Sequence, residues 1–220
     1  LGVGINTLPH AIRELAGLGL LDRLDDVAIR TSELFYLTRH GQQVWHEKRG
    51  LDAGHDVPQF SIHRGRLQSV IHQAVIDRLG ADAIRTGCRL GSFTQDEGGV
   101  SAYFFDRSGA HVHTARGDIL IGADGIWSSV RGHLFPDVQP QFSGLIAWRG
   151  TLDATALPRE YTAPRVQLWM GPDAHLVAYP ISAGRQINVV AIVSGTWNRP
   201  GWSAPGDSNE IKGAFASARW

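Results

Sequence analysis

The stretch GDILIGADGIWSSVRGHL, residues Gly117–Leu134, carries a short apolar run, Ile119-Leu120-Ile121, into Ala123-Asp124-Gly125 and then into a helix-like segment bearing Ser128 and Arg131. Read as a buried strand over Asp118–Gly122 that delivers Asp-Gly into a helix start, it supplies a glycine for close backbone approach, unpaired N–H groups and the positive end of a helix dipole. Those are the parts of a phosphate or pyrophosphate site. Asp124 would repel phosphate. Its carboxylate is therefore expected to accept hydrogen bonds from a sugar hydroxyl, from local backbone, or from a positioning arginine, for which Arg131 is suitably spaced. The competing reading is a plain Asp-Gly turn.

Working outward, SIHRGRLQSVIHQAVIDRLG predicts a helix with Leu67, Val70, Ile71, Ala74, Val75 and Leu79 on one face, Ser61 as a possible cap and Gly80 as its stop. Arg64 then falls at the entry to the first turn, where backbone N–H groups welcome an anion. The opening LGVGINTLPHAIRELAGLGL predicts a second helix capped by Asn6 or Thr7, with Pro9 in its first turn. Its GVG does not extend to G-x-G-x-x-G, because Thr7 stands at the last position. ELFYLTRHGQQVWHE reads as two strands around His40-Gly41, and Val100–Phe105 with His111–Ala115 as a hairpin around Asp106–Gly109. From Ser143 onward LIAWRGTL, VQLWMG, HLVAYPI and INVVAIV predict an antiparallel sheet, after a boundary at residues 136–143. A last helix begins after the loop-like WNRPGWSAPGD and is expected to run to Trp220.

Composition narrows the function classes. The 220 residues are 43% hydrophobic, enough for one large domain or two small ones sharing a core. Lys+Arg and Asp+Glu are 21 each, so no global field favours nucleic acid or an anionic membrane. The single cysteine, Cys88, excludes an internal disulfide and suits a reducing compartment. No apolar run approaches the ~20 residues of a membrane helix, and no signal-peptide pattern is present. A cytoplasmic, water-soluble protein is expected. His111 and His113 share a strand face, but no third ligand stands nearby in sequence.

GADGIWSSVR (Gly122–Arg131), IHRGRLQ (Ile62–Gln68) and LGVGINTLPHA (Leu1–Ala11), together with WRG (Trp148–Gly150) and VAYPIS (Val177–Ser182), resemble in order and spacing the single-component FAD-dependent aromatic hydroxylases, the para-hydroxybenzoate and salicylate hydroxylase group. They look most like its phenazine-type branch, the methylphenazine-carboxylate monooxygenases. The resemblance implies an α/β (α+β) fold: part of an FAD-binding, Rossmann-like domain over residues 1–140, and a second, antiparallel substrate-side sheet domain over 141–220. It further implies a central fragment, without the family's N-terminal G-x-G-x-x-G unit and without the Gly-Asp-Ala-Ala-His motif beyond Trp220.

The resemblance also implies roles. Asp124, Gly125 and Arg131 would lie near the FAD pyrophosphate. Arg64, with Gln68 in the same motif, would contact the flavin nucleotide, and the backbone of Val3 and Gly4 would approach the isoalloxazine ring. Trp148, Arg149 and Tyr179 are the candidates for the aromatic pocket. Arg149 is read either as a clamp for a substrate carboxylate or as an edge-strand charge, and Tyr179 either as a pocket residue or as a satisfied core tyrosine. In such enzymes NAD(P)H reduces the flavin, O2 adds to give a flavin hydroperoxide, and a phenolic or N-heteroaromatic ring is hydroxylated, while the protein orients the ring and excludes water. Two other expectations stand beside this one: another flavoprotein reaction of the same superfamily, and a non-catalytic fragment exposing an apolar patch.

Overall fold

The structure is a computed structural model that describes residues 2–197 and 204–216. The chain folds into two compact units, one from residues 1–77 with 144–220 and one from residues 78–143. The first unit is thus built from both ends of the chain. Strands on either side of the boundary expected near residue 140 belong to one sheet.

In the first unit a small antiparallel sheet is ordered β1-β5-β2, with β1 Gly4–Thr7, β5 Gln59–His63 and β2 Ile29–Thr31. The sequence pattern does not predict the first of these strands. Asn6 and Thr7 are spent in β1 rather than at a helix cap: Asn6 pairs with Ser61, Thr7 with Phe60, and Leu8 takes the cap position of α1 (Pro9–Gly17). Ser61 likewise sits inside β5, not at the start of α3 (Arg64–Leu79). The Thr31 hydroxyl approaches that of Ser61 at 2.7 Å, and Ser61 donates to Asn6 Oδ1 at 2.6 Å. A polar chain therefore crosses all three strands.

Packed on this sheet, α1 and α2 (Leu21–Asp25) close a core of Ile12, Leu24, Ala28, Val57, Phe60 and Ile62, with Leu67 and Val70 of α3 against it. Of the apolar stripe expected on α3, only Ala74 is fully buried, whereas Leu79 is 72% exposed.

The second sheet of this unit has six strands in the order β4-β3-β10-β11-β12-β9. They are β4 Gln43–Lys48, β3 Glu33–Thr38, β10 Arg165–Gly171, β11 Ala174–Ile181, β12 Gln186–Ser194 and β9 Leu145–Asp153. The expected hairpin and the expected run of strands are both present, joined by a parallel pairing of β3 with β10. Because paired residues share a face, the register aligns Trp45, Tyr36, Leu168, Val177, Val190 and Arg149 in one row across all six strands. Tyr179, Asn188 and Thr151 lie in the neighbouring row of the same face. Helix α5 spans Ser208–Ala216, and its expected continuation to Trp220 lies outside the described residues.

The second unit is a meander of β6 (Arg89–Asp96), β7 (Gly99–Phe105) and β8 (His111–Gly117), with α4 (Ser129–Leu134). The β7–β8 turn is fixed by Asp106, whose Oδ1 accepts from the N–H groups of Ser108 at 2.8 Å and Ala110 at 3.0 Å. The Phe93 ring lies 4.5 Å from that of His133, joining β6 to α4.

The strand expected over Asp118–Gly122 is absent. Residues 119–125 form no regular element, and Ile119 and Ile121 are 79% and 82% exposed. The physical reason is pairing: β8 ends at Gly117 opposite Val100, and among the described residues no further strand offers hydrogen bonds to the segment that follows. An apolar run alone does not make a strand when no ladder receives it.

Candidate functional site

Gly2-Val3-Gly4 forms a ribbon held from two sides, by the backbone leading from β5 into α3 and by a side chain of β12. Gly4 pairs with His63, and the Arg64 N–H donates to the Val3 carbonyl at 3.0 Å. On the other side, the Gly4 N–H donates to Asn188 Oδ1 at 2.5 Å. A Cβ on Gly2 would lie 1.8 Å from the His63 ring. One on Gly4 would lie 2.7 Å from both Asn188 Cγ and Tyr179 Cε2. A side chain at Gly4 would meet the buried Asn188 and Tyr179, and one at Gly2 would have to displace the His63 ring.

Arg64 opens α3, and Gln68 follows one turn later on the same helix face, both exposed. Val3, Gly4, Arg64 and Gln68 are therefore brought together. Tyr179 is 5% exposed, and Asn188 is fully buried with its side-chain Nδ2 lacking a hydrogen-bond partner. Burial pushes the pKa of the Tyr179 hydroxyl up to about 12, with the nearby positive charge of Arg149 pulling the other way. The phenol therefore stays protonated at neutral pH and acts as a donor, not a base.

Tyr179 and Arg149 share the face of the sheet that carries Asn188. Trp148 does not: it pairs with Ala191 and points to the opposite face, toward Gly206. Adjacent residues of a strand alternate sides, so Trp148 and Arg149 cannot line one pocket. The same face as Arg149 also carries, at its far edge, a hollow lined by Tyr36, Val44, Trp45, Glu47 and Met170. Five strand spacings of about 4.8 Å separate β4 from β9, so one small ring cannot touch both Trp45 and Arg149.

In the second unit, the Asp124 carboxylate caps α4. It accepts from the Ser128 hydroxyl at 2.5 Å and from the Ser129 and Val130 N–H groups at 2.6 and 3.3 Å. The Arg131 N–H donates to Ser128 Oγ at 2.9 Å. Of the three partners open to Asp124, the structure selects local backbone with the neighbouring hydroxyl. Arg131 directs its guanidinium to the Ile126 carbonyl rather than to Asp124. Gly125, at φ +79°, makes the turn. The N–H groups of Ser129, Val130 and Arg131 expected to face a ligand are thus already taken within the chain.

The Ser128 hydroxyl above all, against an opposing effect of burial and helped by the N–H groups of Val130, Asp124 and Ser129, holds the Asp124 carboxyl below the usual aspartate range. A lowered folded pKa contributes stability above the ordinary value of about 3.9 and loses it as pH falls through the depressed one. The Ser129 amide shift is accordingly expected to titrate with a midpoint below about 3.9 and to lose that step in Asp124→Ala. A midpoint at or above the ordinary value would contradict the cap.

His111 and His113 are turned to local partners, His111 Nε2 to Thr114 Oγ1 at 2.9 Å and His113 Nδ1 to Arg85 at 3.0 Å. Sequence reasoning missed two residues, His63 and Asn188. A signal existed for the second: a lone asparagine in the otherwise apolar run INVVAIV, where a polar group survives only for a hydrogen bond it makes.

A tight glycine ribbon against the start of the arginine-led α3, beside a broad mixed sheet, fits a protein that binds a nucleotide cofactor. The chain belongs to the FAD binding domain family, whose model matches residues 9–216. It is 40% identical over 187 residues to phenazine 1,6-dicarboxylic acid hydroxylase PhzS of Lysobacter antibioticus, covering 83% of this chain and 45% of that protein. Salicylate hydroxylase of Pseudomonas putida is 33% identical over 244 residues, covering 98% of this chain and 52% of that one. Among solved structures, a salicylate hydroxylase substrate complex superposes with a TM-score of 0.70 at 26% identity, covering 97% of this chain and 55% of that one. The chain spans about half the length of the curated relatives it matches. The fold class and family expected from the motifs are those found. No described helix is long and apolar enough to cross a membrane.

Proposed function

We propose that this chain carries part of an FAD-dependent aromatic monooxygenase that uses NAD(P)H and O2 to hydroxylate a small phenolic or N-heteroaromatic carboxylate in the cytoplasm. The observation that carries the reading is the Gly2-Val3-Gly4 ribbon, whose two glycines let His63, Asn188 and Tyr179 close on its backbone. The space beside both glycines is taken by His63, Asn188 and Tyr179, but Gly2 and Gly4 stay half-exposed, and backbone without side chains of its own on that remaining side is compatible with close approach of a flat ring such as an isoalloxazine. The likeness to relatives named for salicylate and for a phenazine dicarboxylic acid supports the substrate class.

Bound FAD supplies the redox chemistry. This chain's residues bind and orient. Arg64 and Gln68 offer a charge and an amide to the nucleotide from one face of α3. Gly125 and Arg131 stay candidates for the pyrophosphate through their motif, with Asp124 shaping the turn that carries them. Arg149 presents a cation for a substrate carboxylate, and protonated Tyr179 a donor for a phenolic oxygen. Trp148, on the opposite face, is not placed with Arg149 and Tyr179.

Titration of the purified chain with FAD tests this, followed by flavin fluorescence. Saturable binding is expected, weakened at least tenfold in Arg64→Ala. An unchanged flavin signal from a chain that melts cooperatively would overturn the reading for this chain. The exposure of Ile119 and Ile121 supports a second reading, a binding module without activity of its own. Substrate-dependent NADH oxidation yielding hydroxylated product would exclude it.

A further inference from the structure

We infer that Asn188 is a positioning residue that fixes the Gly2-Val3-Gly4 ribbon in place from a distant part of the sequence. β1 is an edge strand: β5 takes one side of its backbone, and among the described residues no strand takes the other. Asn188 reaches in from the middle of β12 and accepts the Gly4 N–H with its Oδ1. The side chain is completely buried, and its Cγ and Cβ occupy the room that a Gly4 side chain would take, 2.7 and 2.8 Å from the ideal Cβ position.

The decisive detail is the other end of the amide. Nδ2 is buried with no hydrogen-bond partner. A buried donor left unmade is unfavourable, and an apolar residue of similar shape would avoid that cost on a strand whose neighbours are Ile187 and Val189. Packing alone therefore does not account for an asparagine here. A requirement for one acceptor, aimed at one backbone N–H, does. The register strengthens this, because Asn188 pairs with Tyr179 on β11 and Thr151 on β9, so its position is set from both sides. It is not set by its own rotamer alone. The ribbon is in this way tied to the sheet that carries Tyr179 and Arg149, and a shift of one moves the other. Its consequence for the flavin rests on the function proposed above; its hold on Gly4 does not.

The test compares Asn188→Leu, which keeps the shape and removes the acceptor, with Asn188→Asp, which keeps the acceptor. Amide hydrogen exchange at Gly4 reads the hold directly and requires no cofactor. Gly4 is expected to be protected in the unaltered chain, to exchange at least tenfold faster in Asn188→Leu, and to stay within about threefold of the unaltered rate in Asn188→Asp at a pH low enough to protonate a buried carboxyl. The amides of Ser61, which faces β2, and of Leu168 in β10 serve as the folding control and should not change. An unprotected Gly4 in the unaltered chain, or equal protection in the leucine variant, would overturn the assignment. FAD titration of the same three proteins separates the two readings. A tenfold weaker affinity in the leucine variant alone extends the hold to the cofactor, and equal affinity in all three denies Asn188 any part in flavin binding. Failure of all three to bind, with Gly4 exchange still responding, sinks the flavin reading and leaves the hold on Gly4 standing.

Discussion

Phe60→Ala is expected to bring the chain close to unfolding. Phe60 has no exposed surface, lies in the central strand of β1-β5-β2, and is surrounded by Ile12, Leu24, Val57 and Ile62. Truncation removes most of a ring's burial and leaves a cavity that the flanking helices cannot close, at a cost of about 3–5 kcal/mol. That compares with a total of about 5–15 kcal/mol for a typical domain. At about 2–4 °C per kcal/mol for a chain of this size, the melting temperature should fall by about 6–20 °C. Circular dichroism on heating measures it. A fall of under about 3 °C would mean that Phe60 is not the centre of this core.

The second large effect is expected at Gly4, where stability and ligand binding should fail together. In Gly4→Ala the new methyl would sit 2.7 Å from Asn188 Cγ and Tyr179 Cε2, side chains that are 0% and 5% exposed and have little room to yield. Overpacking of this kind costs about 1–3 kcal/mol. The alternative, β1 lifting away, would break the bond to Asn188 and displace Val3 from Arg64. Gly150→Ala on β9 provides the contrast, since nothing lies within 4 Å of its added methyl. Denaturant midpoints and FAD titrations on both variants should show Gly4→Ala weaker in each and Gly150→Ala near unaltered. Equal behaviour would show that the ribbon can shift without loss.

These two sites also show how far the sequence could be read. The strands of the large sheet and the β3–β4 and β7–β8 hairpins were legible because alternation and turn residues are local signals. Whole-chain motif order identified the family, and from it came the expectations for Gly4 and Arg64, although nothing in the spacing of GVG reveals what fills the space beside Gly4. That is set by Asn188 and Tyr179, far away in the chain. The same reason hid β1 and β5: GINT and QFSIH carry weak local signals and are strands because each meets the other. The failure at Asp118–Gly122 is the converse. Its residues suit a strand, yet among the described residues they meet no partner. At Asp124 the sequence leaves three partners open, and only the folded α4 selects among them: local backbone with the Ser128 hydroxyl, so that the N–H groups expected to stay open are taken. Strand alternation puts Trp148 and Arg149 on opposite faces, and only the register of β9 against β12 shows which of them shares the face of Tyr179.

The parallel pairing of β3 with β10 has a bearing on how the polypeptide is made. The Ser32 N–H donates to the carbonyl of Pro164 at 2.9 Å, across 132 positions of sequence. During synthesis at about 5–20 residues per second, the β3–β4 hairpin emerges several seconds before β10 can reach it. The meander of residues 78–143 is contiguous and can close on its own in that interval. The apolar row through Tyr36 and Trp45 therefore waits, uncovered on one edge, until the latter half of the chain leaves the ribosome, and this window is when a nascent chain of this kind is most in need of a chaperone.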